Sequence, residues 1–412
     1  MTTTRALETR CVVVGGGPAG MVAGLLLARA GVETVVLEKH GDFLRDFRGD
    51  TIHPSTLQVM ADLGVLEEFL RLPHQKVVEL SGEFGSERFR VADFGHLPTA
   101  AKFLAIMPQW DFLNFLAEQA KRYPEFALRV KTRAVGLIER GGKVIGVEAQ
   151  DAEGSLNITA DLVIAADGRD SVIRDLSGLP KRDLGAPMDV LWMRLPREEA
   201  DGDTPLGRFD AGGIFVMIPR GDYYQCGYVI SKGGSEEVRA AGLPALQAQI
   251  AKLSPVLANR VSVLDDWEKV KTLTVTVDRL DRWWRPGLLC IGDSAHAMSP
   301  IGGVGVNLAI QDAVAAANIL SRPLREGRLL DADLAAVERR RAWQVKLIQA
   351  VQVFVQKRVI AAILAGRGAL RAAWPVRLID RCPRLRRLPA RFLGMGVRME
   401  RVRSHDIHGP TA

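Results

Sequence analysis

The chain has 412 residues, 47% apolar and 25% charged, with a net charge of +7. This length supports two or three structural units around a substantial core, and the composition is that of a globular protein rather than a disordered or fibrous one. The charge is uneven. Nineteen Lys and Arg against seven Asp and Glu from Arg325 onward give +12 there and leave −5 for the rest, which argues against a nucleic-acid groove through the body of the protein. No run approaches the roughly 18 uninterrupted apolar residues of a membrane span. The N-terminus, Met1-Thr2-Thr3-Thr4-Arg5, lacks an apolar signal core, so a cytoplasmic location is expected. Cys11, Cys226, Cys290 and Cys382 are scattered and read as buried reduced thiols. The seven histidines form no pair at ligand spacing, so no metal site is expected.

In chain order, Cys11–Val14 reads as a strand, Met21–Ala30 as a helix stopped by Gly31, and Val35-Val36-Leu37 as a second strand. Together they form one βαβ unit of a parallel sheet. Residues 54–71 look helical, with Leu57, Met60, Leu63, Leu66 and Leu70 on one face, and 110–122 give another amphipathic helix. Residues 76–94 add strands. Three alternating segments, Asp189–Leu195, Gly213–Ile218 and Tyr223–Ser231, predict a separate sheet, with a hairpin turn at Pro219-Arg220-Gly221-Asp222. After Asn307 the chain turns helical and stays so.

Three segments carry the chemistry. Gly15-x-Gly17-x-x-Gly20, with Pro18 and Ala19 inside it, follows a strand and opens a helix. Glycine serves the tight turn, the close approach of a pyrophosphate and the packing of helix on sheet, while the helix N-terminus offers N–H donors to phosphate. Glu38 ends the second strand, where a carboxylate can accept from ribose hydroxyls and disfavours a 2′-phosphate, so FAD or NAD fits better than NADP. The middle segment is Leu162–Ala166 with Asp167-Gly168. The late segment is Leu288–Ile291 with Gly292-Asp293-Ser294-Ala295-His296. Asp293 is placed to hold a ribityl hydroxyl. The run Pro300–Asn307 then opens a helix over Leu308–Leu320, whose positive end suits the negative charge of a reduced flavin.

With these segments on one chain, residues 10–320 resemble the class A flavoprotein monooxygenases, the family of p-hydroxybenzoate hydroxylase and the ubiquinone-biosynthesis hydroxylases. The most specific match is Gly-Asp-Ser-Ala-His-x-x-x-Pro-x-Gly-Gly-x-Gly-x-Asn over 292–307, followed by Asp312-Ala313. The resemblance implies that Asp293, after Gly292, binds the ribityl-pyrophosphate region of FAD. It implies that Pro300 borders the oxygen-reactive face of the flavin, and that Gly303, Gly305, Val306 and Asn307 lie at the isoalloxazine ring. Asp167-Gly168, with Ser171 and Arg174, resembles the family's second motif. Arg48, in Phe47-Arg48-Gly49-Asp50, and Gln109 resemble FAD-contacting residues, and Lys39 follows Glu38 at the ribose. The implied reaction is reduction of FAD by NADH or NADPH, addition of O2 to give a flavin-4a-hydroperoxide, and transfer of one oxygen to an electron-rich substrate.

The implied fold is α/β: a Rossmann-like FAD-binding domain with a parallel sheet (1–75, 100–180 and 276–330), interleaved with a smaller β-sheet substrate domain (76–99 and 181–275) and followed by a C-terminal helical region (331–412). Candidate substrate residues on the inserted strands are Trp192, Arg194, Phe215, Met217, Tyr224, Cys226 and Tyr228. Alternation puts about half of them on the pocket side. The tyrosine cluster weakly favours an aromatic, quinone-like or polyketide-like small molecule. No side-chain acid or base identifies itself, and His296 reads as a structural histidine in a tight turn, satisfying backbone groups. A reductase or dehydrogenase of the same fold is the alternative, ahead of a non-catalytic FAD-binding or ligand-binding protein. A halogenase ranks low without a Trp-x-Trp-x-Ile-Pro run. In the tail, Leu347, Ile348, Val351, Phe354, Val355, Val359 and Ile360 form an apolar stripe expected to pack on the body. The basic stretch from Arg381 to Arg391, beside Phe392, Leu393, Met395 and Val397, either touches an anionic membrane weakly or closes the pocket with a solvated face. A monomer or homodimer is expected.

Overall fold

The computed structural model describes residues 4–44, 51–85, 87–201, 206–210, 213–366 and 374–409. Arg48 lies outside the described residues. Strand β1 (Arg5–Val14) runs through the first glycine turn into helix α1 (Pro18–Arg29) and then strand β2 (Thr34–Leu37). Helix α2 (Gln109–Ala120) leads to β3 (Phe126–Arg129). Two later strands, β4 (Gly154–Ala165) and β5 (Leu288–Cys290), complete a parallel run ordered β5-β4-β1-β2-β3. β1 extends four residues and more beyond its apolar half because its polar start pairs in register with β4, Arg5 opposite Leu156.

The register decides where the site lies. Val14 pairs with both Leu37 and Ala165, and Ala165 pairs with Cys290. The carboxyl ends of four neighbouring strands therefore form one rim, the place where ligands bind in sheets of this kind. α1 is apolar all round because it is covered by the sheet, by α2 and by helix α3 (Val304–Arg325). The helix expected over 54–71 is instead two, Pro54–Asp62 and Leu66–Phe69. Gly64, at φ +74, turns the chain between them in a conformation that a side chain would strain.

The second sheet has seven strands in the order Lys271–Leu273, Met188–Pro196, Tyr223–Ser231, Gly213–Arg220, Leu206–Asp210, Glu79–Phe84 and Glu87–Asp93. All neighbours are antiparallel except Leu206–Asp210 with Glu79–Phe84. Gly221-Asp222 forms the two-residue hairpin, with Gly221 at φ +50. Helix Leu243–Leu253 covers one face of this sheet through Leu246, Ile250 and Leu253. The other face packs toward Ile301, Ile360 and Ile363 at one end and Leu393 at the other.

Helix α4 (Asp331–Val355) continues through a π-turn, Gln356–Ile360, into Ala361–Leu364. Here the expected packing of the apolar stripe is met only in part. Of the apolar stripe, Ile348 and Ile360 are buried, but Leu347, Val351, Phe354 and Val359 are exposed. Of the two readings of the basic segment, packing inward is the one its apolar residues follow. In helix Arg387–Met395, Ala390, Gly394 and Met395 are buried, and Phe392 and Leu393 pack against the core. A Cβ on Gly394 would lie 2.7 Å from Leu97 and 3.2 Å from Phe94 and Pro54, so this helix has no room to rotate its apolar side outward. The last residues strap the domain. Arg401 pairs with Asp62, Arg29 with Asp406 and His408 with Glu125.

Candidate active site

The glycine turn leaves β1 with Gly15 at φ +109. A Cβ on Gly15 would lie 2.4 Å from the carbonyl oxygen of Ala166 and 2.8 Å from Cα of Asp167. The first constraint on Gly15 is therefore contact with the second motif. Gly20 is as tightly constrained, 1.8 Å from the oxygen of Gly15, whereas a Cβ on Gly17 would meet nothing within 4 Å. Gly17 caps α1 without a side-chain bond, and Pro18 opens the helix. The Glu38 carboxylate reaches the same turn, accepting from the N–H of Gly16 at 3.1 Å and of His40 at 3.0 Å.

Asp167 follows β4 and is turned into the fold. It accepts from Ser171 Oγ and, at 3.3 Å, from the N–H of Ile173, and burial raises its carboxyl above the ordinary range despite these bonds. Ser171 in turn accepts from the N–H of Arg174, capping the short helix Val172–Leu176. This clamp places Arg169 with its guanidinium 3.8 Å from the Asp293 carboxylate. The third motif docks on the first two. The Ile291 N–H donates to Ala165 O at 2.9 Å and Ser294 Oγ to the same oxygen at 2.6 Å. A Cβ on Gly292 would lie 3.0 Å from Ala309 and 3.3 Å from Ala19, so the N-terminal turns of α1 and α3 converge on it.

Between Asp293 and α3 the chain passes Pro300 and then Gly302 and Gly303, both left-handed (φ +76 and +62) and both exposed. Gly303 caps α3 without a side-chain bond. Two helices without side-chain N-caps thus meet at the Gly292 turn, an arrangement that fits a cofactor with a pyrophosphate at one end and an anionic reduced ring at the other. Val306 is partly exposed beside this turn. Asn307 is buried, and its side-chain oxygen accepts from Ser55 and from Thr56 at 3.2 Å. Gln109 is buried at the first turn of α2, and Lys39 is exposed beyond Glu38.

Several residues that hold the 278–301 segments carry no distinct mark in the sequence. Gln349 donates to Asp278 O at 2.8 Å and Ala297 O at 3.0 Å. Gln352 donates to Ser299 O at 3.1 Å and Ile301 O at 3.0 Å, and accepts from the N–H of Ser299 at 3.3 Å. Gln356 donates to Ser299 Oγ at 2.7 Å. The spacing 349, 352, 356 was visible as one helical face, but it lay inside an apolar stripe. His53 is also buried, with Nδ1 2.8 Å from Leu393 O and Nε2 3.0 Å from Gly303 O. Burial lowers its pKa, and a neutral ring donates to one carbonyl only.

His296 is fully buried, 2.6 Å from the Asp312 carboxylate through Nε2, and not on backbone groups as expected. Asp312 also accepts from Arg341 Nε at 2.8 Å and from the N–H of Gly292 at 3.1 Å. Glu400, held by Arg340 at 2.8 and 2.9 Å, lies 3.9 Å from Arg341.

Alternation sorts the substrate candidates. Phe215, Met217, Tyr224 and Cys226 are buried against helix Leu243–Leu253, with Tyr228 packed at the edge of the same cluster. These five belong to the covered core and not to a pocket. Trp192 and Arg194 lie on the opposite face. In register across five strands there run Trp192, Gly227, Val216, Gly207 and Gly82. The Trp192 ring lies 3.3 Å from the Cβ position of Gly227, and Phe209 lies 3.2 and 3.3 Å from those of Gly207 and Gly82. Two rings thus lie down on glycines on either side of Val216, which is half-buried. Val216 and Phe209 were missed because a two-residue period does not label its faces.

Three glycine motifs brought together at the carboxyl rim of a parallel sheet are the arrangement of a dinucleotide-binding flavoprotein. A family profile described as "FAD binding domain" matches residues 8–350. A 6-methylpretetramide 4-monooxygenase from Streptomyces rimosus is 34% identical over 404 residues, covering 96% of this chain and 94% of that protein. A 3-demethoxyubiquinol 3-hydroxylase from Escherichia coli is 25% identical, covering 76% of this chain and 79% of its own. The crystal structure of a p-nitrophenol 4-monooxygenase from Pseudomonas putida superposes with a TM-score of 0.78 at 19% identity, covering 94% and 97% of the two chains. The chain belongs to the FAD-binding-domain family of class A flavoprotein monooxygenases. It is an FAD-dependent monooxygenase with NADH or NADPH as electron donor.

Two outcomes test this site. Gly15→Val purifies without FAD, read from the flavin absorbance per protein, because the side chain displaces Ala166 and Asp167; a fully loaded variant removes the assignment. Burial alone would raise the Asp312 carboxyl, but His296 and Arg341 hold it below the ordinary range. The stability it supplies is present above that range and is lost as pH falls through its folded-state value. Asp312→Asn leaves Arg341 buried without its nearest counter-charge, costing about 3–5 kcal/mol near neutral pH. The gap to the parent protein then closes in acid, and parallel denaturation profiles across pH would contradict the role.

Proposed function

We propose that the enzyme hydroxylates a flat aromatic or polyketide-like molecule bound between the exposed Gly302-Gly303 turn and the inner face of the seven-stranded sheet. The observation that carries this reading is the pair of rings, Trp192 and Phe209, laid on glycines either side of Val216. Five strands at about 4.8 Å spacing span roughly 19 Å, room for several fused rings. The name of the 34% identical relative points to a polycyclic aromatic substrate. Arg194, over the Tyr223 ring at 5.1 Å, sits at the edge of the same face.

On this reading Gly15, Gly17, Pro18, Ala19 and Gly20 hold the pyrophosphate of FAD. Glu38, with Lys39 beyond it, holds the ribose, and Gly292 and Asp293 the ribityl chain. Gly303, Gly305, Val306 and the backbone of Asn307 border the ring, with Pro300 at the oxygen-reactive side. Gln109 completes the FAD shell, while Asp167 and Gly168 act by bracing Gly15 and placing Arg169. Bound FAD supplies hydride acceptance and oxygen activation. The chain's own part is to hold the loop 297–303 rigid, to offer helix N-termini to negative charge and to keep the aromatic substrate dry against Trp192, Val216 and Phe209. We infer a cytoplasmic protein, monomeric or homodimeric, whose substrate is a small molecule together with O2. The alternative reading, a reductase of the same fold, shares every cofactor contact and differs in its use of oxygen.

Rapid mixing separates the two. The chemically reduced protein, mixed with oxygenated buffer in the presence of phenolic polycycles, gives a transient absorbance distinct from reduced and oxidised flavin before reoxidation. Direct reoxidation with full release of hydrogen peroxide under every ligand condition would favour the reductase. Substitution separates the two sheet faces. Val216→Phe raises KM for an aromatic substrate on the order of tenfold while FAD content stays unchanged, whereas Tyr228→Phe on the covered face leaves KM as it was. The opposite ranking in steady-state assays would move the pocket to the other face.

A further inference from the structure

Helix α4 turns an apolar face to solvent. Trp343, Leu347, Val351 and Phe354, at helical spacing, are 45%, 44%, 39% and 63% exposed. The face is edged by cations. Arg339, Lys346, Lys357 and Arg358 are all exposed and form no ion pair among the described residues. From Arg339 to Ile379 the chain carries nine Lys and Arg and no Asp or Glu. A soluble surface helix normally interleaves both signs. This one presents apolar and aromatic side chains in the middle and unpaired positive charge at the rim.

We propose that this face of α4 docks the protein onto an anionic lipid surface. Aromatic and aliphatic side chains enter the headgroup boundary, and the long Lys and Arg stems run along the apolar surface to reach lipid phosphates. The helix lies on the bilayer and does not cross it. Asp331–Leu364 is long and apolar enough to span by length and composition, but its other face carries Arg341, Gln349, Gln352 and Gln356, all buried and bonded to Asp312 and the 278–301 segments. Withdrawing those groups into hydrocarbon would leave each without its partner. A second copy of the chain is a poorer occupant, because a twofold contact would set the same unpaired cations against one another. The inference does not depend on the substrate reading, since it needs no turnover.

The test is sedimentation of the FAD-loaded protein with vesicles of equal parts phosphatidylglycerol and phosphatidylcholine, and with phosphatidylcholine alone, at low and moderate salt. Binding to the anionic vesicles at low salt, weakened by added salt and slight on phosphatidylcholine, is expected. Trp343→Glu with Phe354→Glu lowers the partition coefficient by at least about tenfold, while flavin absorbance and melting temperature stay unchanged, since both positions are exposed. Lys357→Gln with Arg358→Gln removes part of the salt dependence and keeps the rest. Absence of binding at low salt overturns the proposal, and so does equal binding by the Trp343/Phe354 variant. A dimer seen by light scattering and dispersed by the same double substitution assigns the face to self-association and overturns it as well.

Discussion

The carboxylate of Asp312 is the charge around which the catalytic body closes. It lies on α3 with no exposure, and burial of a bare carboxylate is expensive. Three donors offset that cost, and each comes from a different part of the chain: the N–H of Gly292 from the late FAD motif, His296 from the turn after it, and Arg341 from α4. Glu400, from the C-terminal strap, stands next in line through Arg340 and Arg341. None of these segments would sit where it does for its own local preference. Removing one partner strands the others in a low dielectric, so the network favours a single arrangement of motif, helix and strap.

That fixation matters because the loop it anchors has little stiffness of its own. Gly302 and Gly303 sit in a left-handed region that glycine enters at small cost and leaves as easily. α3 starts with no side-chain cap. Rigidity has to come from outside, and the glutamines of α4 supply it, each side-chain amide binding one to three groups of the 278–301 segments. The π-turn at Gln356–Ile360 adds a residue to the helical turn just beyond that row. His53 closes the far side, joining Gly303 to Leu393 of the last helix. A cofactor ring over this loop meets backbone whose position is set by side chains well away from it.

What was legible in the sequence is what local backbone geometry dictates. Gly15, Gly17 and Gly20 read correctly as a turn into a helix because positive φ and missing side chains leave a mark at fixed spacing. The hairpin at Gly221-Asp222 read correctly for the same reason. What the sequence left open is which side of each strand faces the pocket. Phe215, Met217, Tyr224, Cys226 and Tyr228 alternate as cleanly as Trp192, Val216 and Phe209. Only the cover given by Leu246, Ile250 and Leu253 tells the faces apart. That cover comes from a helix later in the chain, and nothing in the strands themselves announces it.

The tail carries the same ambiguity in a sharper form. An apolar stripe on a helix is ordinarily its inward face, since burial of apolar area outweighs the rest. On α4 the inward face mixes Leu334, Val337, Val345 and Ile348 with Arg341, Gln344, Gln349 and Gln352, because the 278–301 segments and Asp312 have donors and acceptors to be met, and each unmet one would cost more than a methyl group gains. Leu347, Val351 and Phe354 are left outside as a consequence. The helix carries apolar side chains on both faces and places its polar contacts inside, so its two faces answer to two partners. The site inside dictates the polar one, so the apolar one is free to be matched to whatever lies beyond the protein, and the unpaired cations along its rim say that this surface is negatively charged.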